Sequence, residues 1–153
     1  MKYVKCTKSG IYRFISTDNK VIYTGSAKCL DTRLKSHFSP KGSHLPKEVY
    51  NNTAIVEIIP MESYGDALAA EQWAINHYKC RYNKRDKSKS IDVKIDPKYD
   101  YLDNKWKVYW KLRPLDKDKI EANKRNDTIA IIIAYSVFIL AIGMFILRTL
   151  INL

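Results

Sequence analysis

The chain has 153 residues and a formal net charge of +11 at pH 7, so it has room for one compact domain and a smaller segment, which excludes a large multidomain protein. Residues 1–127 hold 26 of the 27 Lys and Arg residues and all 16 Asp and Glu residues. This excess of positive charge suits an anionic partner such as nucleic acid or an acidic lipid surface, and it is equally compatible with an ordinary solubilising surface.

The three cysteines predict structural thiols. Cys6, Cys29 and Cys80 are odd in number and form no CxxC or other metal-ligand spacing. We therefore expect reduced thiols in a cytosolic domain. No apolar run stands near the N-terminus, and we expect no cleaved secretion signal.

A β-hairpin is predicted for the first part of the chain. Ile11–Ile15 and Val21–Tyr23 are short runs of β-branched and aromatic residues, and Asp18-Asn19 between them is typical of a turn. Just beyond the hairpin, Gly25 either adopts a positive φ or lets a backbone approach a ligand. Ser26 is a candidate N-cap for the helix that follows.

Two helices and another strand follow the hairpin. Apolar residues recur every four positions from Leu30 to Phe38, which predicts a short amphipathic helix. The next residues, up to 52, indicate a loop or an irregular helix. Ala54–Ile59 predicts a third strand and Asp66–Tyr78 a second helix, so we expect a small α/β or α+β domain over residues 1–85.

Residues 86–127 are predicted to be a basic linker or accessory segment. Within them, KWKVYWKL (Lys105–Leu112) alternates apolar with polar or mixed positions. Three interpretations stay open for this stretch. It is an edge strand of the domain, an interfacial aromatic segment near a bilayer, or a set of Lys and aromatic side chains that stack on single-stranded bases.

The C-terminal part predicts a membrane anchor. Ile129–Leu147 is a run of 19 uncharged residues, and as a helix it spans about 29 Å, close to the thickness of a hydrocarbon core. No polar stripe interrupts it, so we expect a transmembrane helix at 128–148 and a short tail at 149–153. Four basic residues between 117 and 125 precede the run, against Arg148 alone after it. The positive-inside rule therefore predicts a tail-anchored protein that contacts the lipid bilayer and keeps its N-terminal domain on the cytoplasmic face.

Glu71 is a candidate site residue because of its place on the second helix. Leu68, Glu71, Ile75 and Tyr78 follow 3-4-3 spacing and share one face. A buried carboxylate without a partner costs several kcal/mol. Glu71 therefore either has a partner, such as a cation or a set of donors, or lies at the solvent edge of that face.

Arg33 and His37 are neighbours on the first helix, four residues apart. Both could contact one phosphate, with Arg33 offering a bidentate fork, or both could lie on a solvated helix face. Tyr12 and Tyr23 are either cross-strand aromatics or phenols presented to a water, a role that requires nearby cations to lower the tyrosine pKa. His44, in the following loop, could contact a phosphate.

The chain carries, in order, GIY at Gly10–Tyr12, YTG at Tyr23–Gly25, Arg33, His37, Glu71 and Asn83. Together these residues resemble the GIY-YIG nuclease family over about residues 8–85. Thr24 stands where the family usually has Ile or Val, but Thr is also β-branched and suits a strand.

The resemblance implies an α+β fold, with a small three-stranded antiparallel sheet flanked by helices, and a metal-dependent phosphodiesterase. It implies that Glu71 is the ligand of one divalent ion, Mg²⁺ or Mn²⁺, since Mg²⁺ accepts one carboxylate with waters and phosphate oxygens completing its shell. Arg33 would stabilise charge on the scissile phosphate, and Asn83 would shape the site.

The remaining residues of the resemblance concern the attacking water and the nucleic acid. Tyr12, helped by Tyr23 and His37, would orient or deprotonate the water, and the division of roles among the three stays open. Gly25 and His44, together with the arginine already named, are candidate contacts to nucleic acid.

We therefore expect a membrane-tethered, divalent-metal-dependent endonuclease that hydrolyses DNA phosphodiester bonds and restricts or excludes incoming DNA. One alternative is a catalytically silent nucleic-acid-binding module on the membrane, and another is a membrane interaction protein whose basic surface docks on anionic lipid. Glu71 argues against the silent module, because a carboxylate in a phosphate site weakens binding unless a metal is present. The oligomeric state stays open.

Overall fold

The computed structural model describes residues 5–39, 42, 44–83 and 97–151. The chain divides into two compact units, Met1–Leu115 and Asp116–Leu153, and the second contains the helix α4 (Lys117–Ile151). The elements of the first unit are, in chain order, β1 (Ser9–Ser16), β2 (Val21–Ala27), α1 (Leu30–His37), α2 (Lys47–Asn52), β3 (Thr53–Met61), α3 (Tyr64–Tyr78), a 3-10 helix (Pro97–Asn104) and β4 (Lys107–Lys111).

β1 and β2 form the predicted antiparallel hairpin, with Tyr12 opposite Gly25. In the turn, Asn19 has a φ of 61°, in the left-handed region. Asparagine tolerates this conformation better than most residues because its short side chain hydrogen-bonds locally. β1 also pairs antiparallel with β3, so the strand that carries the GIY triplet lies inside the sheet.

The sheet has four strands in the order β2-β1-β3-β4, and the predicted three-stranded sheet is therefore wrong by one strand. β4 pairs antiparallel with β3, with Trp110 opposite Val56. Tyr109 faces inward, is 2% exposed, and donates a hydrogen bond to Asp31 of α1 at 2.6 Å. The structure thus shows KWKVYWKL as an edge strand.

The predicted domain boundary at residue 85 falls within residues 84–96, which lie outside the described residues, and it stays a prediction. The first compact unit extends to Leu115 because β4 belongs to its sheet. The predicted linker therefore includes a strand, the 3-10 helix and the start of α4.

Helices cover both faces of the sheet. Successive side chains of a strand point to opposite faces, so Tyr12 packs on the side of α1 and α2 while Ile11 packs on the side of α3. Leu34 of α1 and Val49 of α2 are fully buried in the first core, and Trp73 of α3 is buried in the second. Burial of each such side chain contributes about 1.5–3 kcal/mol.

The predicted buried face of α3 is wrong at Leu68, which is 45% exposed. The helix instead packs on the sheet through small side chains, among them Ala67 and Ala70, whose size lets the helix approach closely. α3 starts at Tyr64, two residues before the predicted start, because Ser63 caps it by accepting a hydrogen bond from the Asp66 N–H at 3.0 Å.

α4 is described by itself. Its described large apolar side chains between Ile129 and Ile142 are exposed, from 45% to 67%. Across the part of the chain that the structure describes, no helix has the length and apolar character needed to cross a membrane. The transmembrane helix predicted at 128–148 is therefore not supported within the described part of the chain.

Candidate active site

Four side chains form a hydrogen-bonded row on the side of the sheet covered by α1 and α2. Arg33 of α1 donates from Nε to the Tyr12 hydroxyl of β1 at 3.4 Å. That hydroxyl lies 2.8 Å from Nε2 of His37, and Nδ1 of His37 lies 3.0 Å from the Tyr50 hydroxyl of α2. The i, i+4 spacing of Arg33 and His37 places both on the face of α1 that meets Tyr12.

Burial sets the protonation states of this row. It lowers the pKa of His37 to about 4, helped by the positive charge of Arg33 and by His44, so the imidazole is neutral at pH 7. Burial also raises the pKa of Tyr12 well above its ordinary value, and Tyr23 raises it further, although Arg33 opposes both. The lowered pKa that a tyrosine needs to activate a water is thus not found for Tyr12, because burial outweighs Arg33.

Gly25 makes room for Tyr12. No described glycine has a positive φ, so the conformational interpretation of Gly25 is wrong. A Cβ at this position would lie 2.4 Å from the Tyr12 hydroxyl oxygen and 2.5 Å from its Cζ. Glycine is therefore needed because the phenol of Tyr12 lies across the backbone of β2.

Asn83 holds the backbone of β2. Its Oδ1 accepts from the Thr24 N–H at 3.0 Å, and its Nδ2 donates to the Thr24 carbonyl at 2.7 Å. Asn83 is 1% exposed, so both bonds form away from water. Thr24 stands where the family usually has Ile or Val, so it brings a hydroxyl into the core. This hydroxyl has a buried partner, because it lies 3.2 Å from the Cys80 sulfur.

Glu71 projects from α3 toward β2, where the Ser26 hydroxyl donates to its Oε2 at 2.5 Å. Ser26 is therefore not the N-cap of α1, which is Cys29. Ser26 follows Gly25, which lies against Tyr12, so the carboxylate and the phenol contact adjacent residues of one strand.

Comparison with known families agrees with this geometry. The sequence profile of the UvrC-like GIY-YIG domain matches residues 8–84, which is half of the chain. The chain belongs to this family. The predicted resemblance to GIY-YIG nucleases is thereby confirmed, and the chain carries a domain homologous to the endonuclease domain of UvrC.

The GIY-YIG domain is similar to parts of much longer proteins. UvrABC system protein C of Borrelia duttonii (strain Ly) is 44% identical over 75 residues, which are 49% of this chain and 12% of that protein. UvrABC system protein C of Borreliella burgdorferi (strain ZS7) is 34% identical over 115 residues, which are 75% of this chain and 18% of that protein. The chain thus spans less than a fifth of the length of either relative.

A solved structure is also similar to the GIY-YIG domain. It is a point mutant of the N-terminal endonuclease domain of UvrC from Thermotoga maritima, bound to its catalytic divalent cation. The two chains share 26% sequence identity with a TM-score of 0.49, over 54% of this chain and 90% of that chain.

Four of the predicted site residues lie together on the side of the sheet covered by α1 and α2, namely Tyr12, Tyr23, Arg33 and His37. Tyr23 is half-buried, and its ring centroid lies 6.2 Å from that of Tyr12 and 5.9 Å from that of His37. His44 is exposed on the loop before α2. Gly25 is buried beneath Tyr12. The catalytic and binding roles of all these residues stay predictions.

The residues of the GIY-YIG domain fit a cation held by few protein ligands. Among the described residues, no three or more His, Cys, Asp or Glu side chains form a group that could hold a metal ion. Mg²⁺ is commonly bound by one or two carboxylates while it keeps several waters. A carboxylate can accept about four contacts, so the bond from Ser26 to Glu71 is compatible with a cation on the same group.

Sequence reasoning missed two residues of the GIY-YIG site. Tyr50 lies in the segment whose structure stayed open between a loop and an irregular helix, and no spacing relates it to His37. Ser26 was assigned to the wrong role, although its position next to Gly25 signalled a polar side chain close to the site.

Proposed function

We propose that this chain is a divalent-metal-dependent endonuclease that hydrolyses phosphodiester bonds of DNA. The observation that supports this most is that the Tyr12 phenol and the Glu71 carboxylate contact adjacent residues of β2, Gly25 and Ser26 respectively. A site that only bound phosphate would be weakened by that carboxylate, whereas a metal-dependent site needs it.

Each side chain has a role in this proposal. Glu71 holds the divalent ion, Mg²⁺ or Mn²⁺, which when bound polarises the phosphate and neutralises the leaving oxygen. Arg33 stays charged, because a guanidinium keeps its proton in proteins, and it stabilises charge on the phosphate. Tyr12 keeps its proton and, with Tyr23, orients the attacking water. Asn83 keeps β2 in place beneath them.

The net charge supports DNA as the partner. Residues 1–127 carry nearly all of the positive charge of the chain, and phosphate contacts by Lys and Arg drive binding that weakens with salt. The same charge is compatible with the silent binding module, so cleavage has to decide between the two functions.

The test is cleavage of supercoiled plasmid by the full chain, with Mg²⁺ and with EDTA. We expect nicked or linear product only with Mg²⁺, and at least a roughly 100-fold lower rate for Arg33→Gln. Arg81→Gln is the matched control, since the Arg81 side chain is 75% exposed, and it should cleave like the wild type. DNA binding without Mg²⁺-dependent cleavage in the wild type would refute the nuclease and favour the silent module.

We also propose that the C-terminal segment tethers the chain to a membrane, with residues 1–127 on the cytoplasmic face, where cleavage would restrict or exclude incoming DNA. The exposed apolar side chains of α4 support this, because water disfavours so large an apolar surface. In the sequence, the uncharged run continues to Leu147.

Flotation with liposomes tests the tether. The full chain should float with neutral liposomes and resist high salt, whereas the double variant Ile132→Lys, Ile139→Lys should stay at the bottom of the gradient. Release of the wild type by salt, or flotation only with anionic lipid, would contradict the tether and favour docking through the basic surface.

A further inference from the structure

The β4 segment, Tyr109–Arg113, follows the matched GIY-YIG domain, which ends at residue 84. It consists of the end of β4 and the two residues after it, and its backbone is fixed to the sheet. The Leu112 and Arg113 N–H groups both donate to the Ala54 carbonyl of β3, at 2.7 and 3.1 Å. From this position its side chains contact α1 and α2, the two helices that supply three of the four side chains of the buried row.

The contact with α1 is a buried hydrogen bond to the first turn of the helix. The Tyr109 hydroxyl donates to Oδ1 of Asp31 at 2.6 Å, and the Asp31 side chain is 8% exposed. Oδ2 of the same carboxylate pairs with Lys35 at 2.8 Å. Hydrogen bonds to a charged carboxylate are roughly twice as strong as those between neutral groups. At the other end of α1, the Trp110 ring packs edge-on against Phe38, with the centroids 5.3 Å apart.

The contact with α2 satisfies carbonyl groups at the end of that helix. Nη1 of Arg113 donates to the carbonyl oxygens of Tyr50 at 3.1 Å and of Thr53 at 2.9 Å. The last carbonyls of a helix have no partner within it, and α2, all of whose residues the structure describes, has no basic residue in its last turn. A helix of six residues is not stable by itself, so α2 depends on tertiary contacts of this kind.

We propose that the β4 segment completes the nuclease site from outside the matched domain, with Tyr109 and Arg113 as positioning residues. Tyr109 holds α1, which carries Arg33 and His37. Arg113 holds the backbone of Tyr50, whose hydroxyl lies 3.0 Å from Nδ1 of His37. Both act through the helices, and a small displacement of reacting groups can lower a rate by orders of magnitude.

Residual dipolar couplings of the full chain test the positioning of α1 without any cleavage. They report the orientation of N–H groups in the folded state, which a loss of stability alone leaves unchanged. Tyr109→Phe keeps the ring and removes the hydroxyl. We expect the couplings of its α1 residues to depart from the wild-type orientation, while those of β1 and β3 still fit it. Wild-type couplings throughout α1 in Tyr109→Phe would overturn the proposal.

The effect on hydrolysis rests on the proposed function. In plasmid cleavage at a temperature where both chains are folded, Tyr109→Phe should lower kcat roughly tenfold at unchanged KM, because it displaces Arg33 and His37 and leaves the charge of the chain unchanged. Tyr101→Phe is the matched control, since Tyr101 is 59% exposed, and it should cleave like the wild type. Equal kcat in Tyr109→Phe and the wild type would overturn the role of Tyr109.

Arg113→Met tests the contact with α2, and Lys111→Met is its matched control. Both variants remove one positive charge from an exposed side chain of the same segment, so a change in DNA binding should be equal in the two. We expect only Arg113→Met to lower kcat, by roughly threefold, because its bonds are less buried than that of Tyr109. Equal kcat in the two variants would overturn the role of Arg113. No cleavage by the wild type would instead refute the nuclease proposal, and the dipolar couplings would still decide whether Tyr109 positions α1.

Discussion

Both glycines of the two triplets are explained by close approach. A Cβ at Gly10 would lie 2.2 Å from the Ile59 carbonyl oxygen, and one at Gly25 would lie 2.4 Å from the Tyr12 hydroxyl. Neither contact is possible for a real Cβ atom, so β3 and the Tyr12 phenol occupy the space that a side chain would need. The second contact connects the motif directly to the chemistry of the site.

Gly25→Ala should therefore displace the Tyr12 phenol and break the buried row. We expect cleavage to fall to background and the free energy of unfolding to drop by about 1–3 kcal/mol, as for other overpacked cores. Gly65→Ala is the matched control, because its Cβ would lie 3.7 Å from the Ser63 Oγ, an ordinary contact at the start of α3. Thermal unfolding and plasmid cleavage measure both variants, and equal behaviour of the two would contradict the role of Gly25.

At the scale of single residues, the sequence predicted which residues belong to the site better than it predicted which side chains contact each other. The spacing of Arg33 and His37 correctly placed them as neighbours, because both lie on one helix. It could not reveal Tyr50, which reaches His37 only because α2 packs beside α1. Nor could it predict the raised pKa of Tyr12, since burial is a property of the folded chain.

At the scale of elements, the hairpin, α1, β3 and α3 were predicted from their local patterns, with ends that shifted by a few residues. The strand β4 was one of three open interpretations, because its alternation of Lys and aromatic residues is also typical of base stacking or of a bilayer surface. Tertiary contacts decide it. Tyr109 bonds to Asp31, and the Trp106 ring lies 4.3 Å from the guanidinium of Arg13.

The error at Leu68 has a related cause. Hydrophobicity alone favoured a buried leucine, whereas α3 approaches the sheet through its alanines and leaves Leu68 exposed. Glu71, one turn later, lies at the edge of the packed face and reaches Ser26 across to β2. Glu71 was thus singled out because it shares a helix face with Leu68, and the helix does not bury that face as expected. Its predicted role as a metal ligand came from the family resemblance.

At the scale of the whole molecule, the family assignment applies to only part of the chain. The matched domain covers half of the chain, and the strand β4 and the helix α4 follow it. Most of the positive charge lies in the first 127 residues, while the described apolar surface of α4 lies in the second unit. This division supports the proposal that one part meets DNA and the other determines where the cleavage takes place.

The most direct test of this account is the Mg²⁺ dependence of single-turnover cleavage of a labelled duplex by Glu71→Gln. Glu62→Gln is the matched control, because it makes the same change at a side chain that is 90% exposed and pairs with Lys8 at 3.1 Å. We predict that Glu71→Gln keeps its fold and its DNA binding but loses Mg²⁺-dependent cleavage, while Glu62→Gln cleaves like the wild type. Cleavage by Glu71→Gln at the wild-type rate and with the same Mg²⁺ dependence would contradict the account.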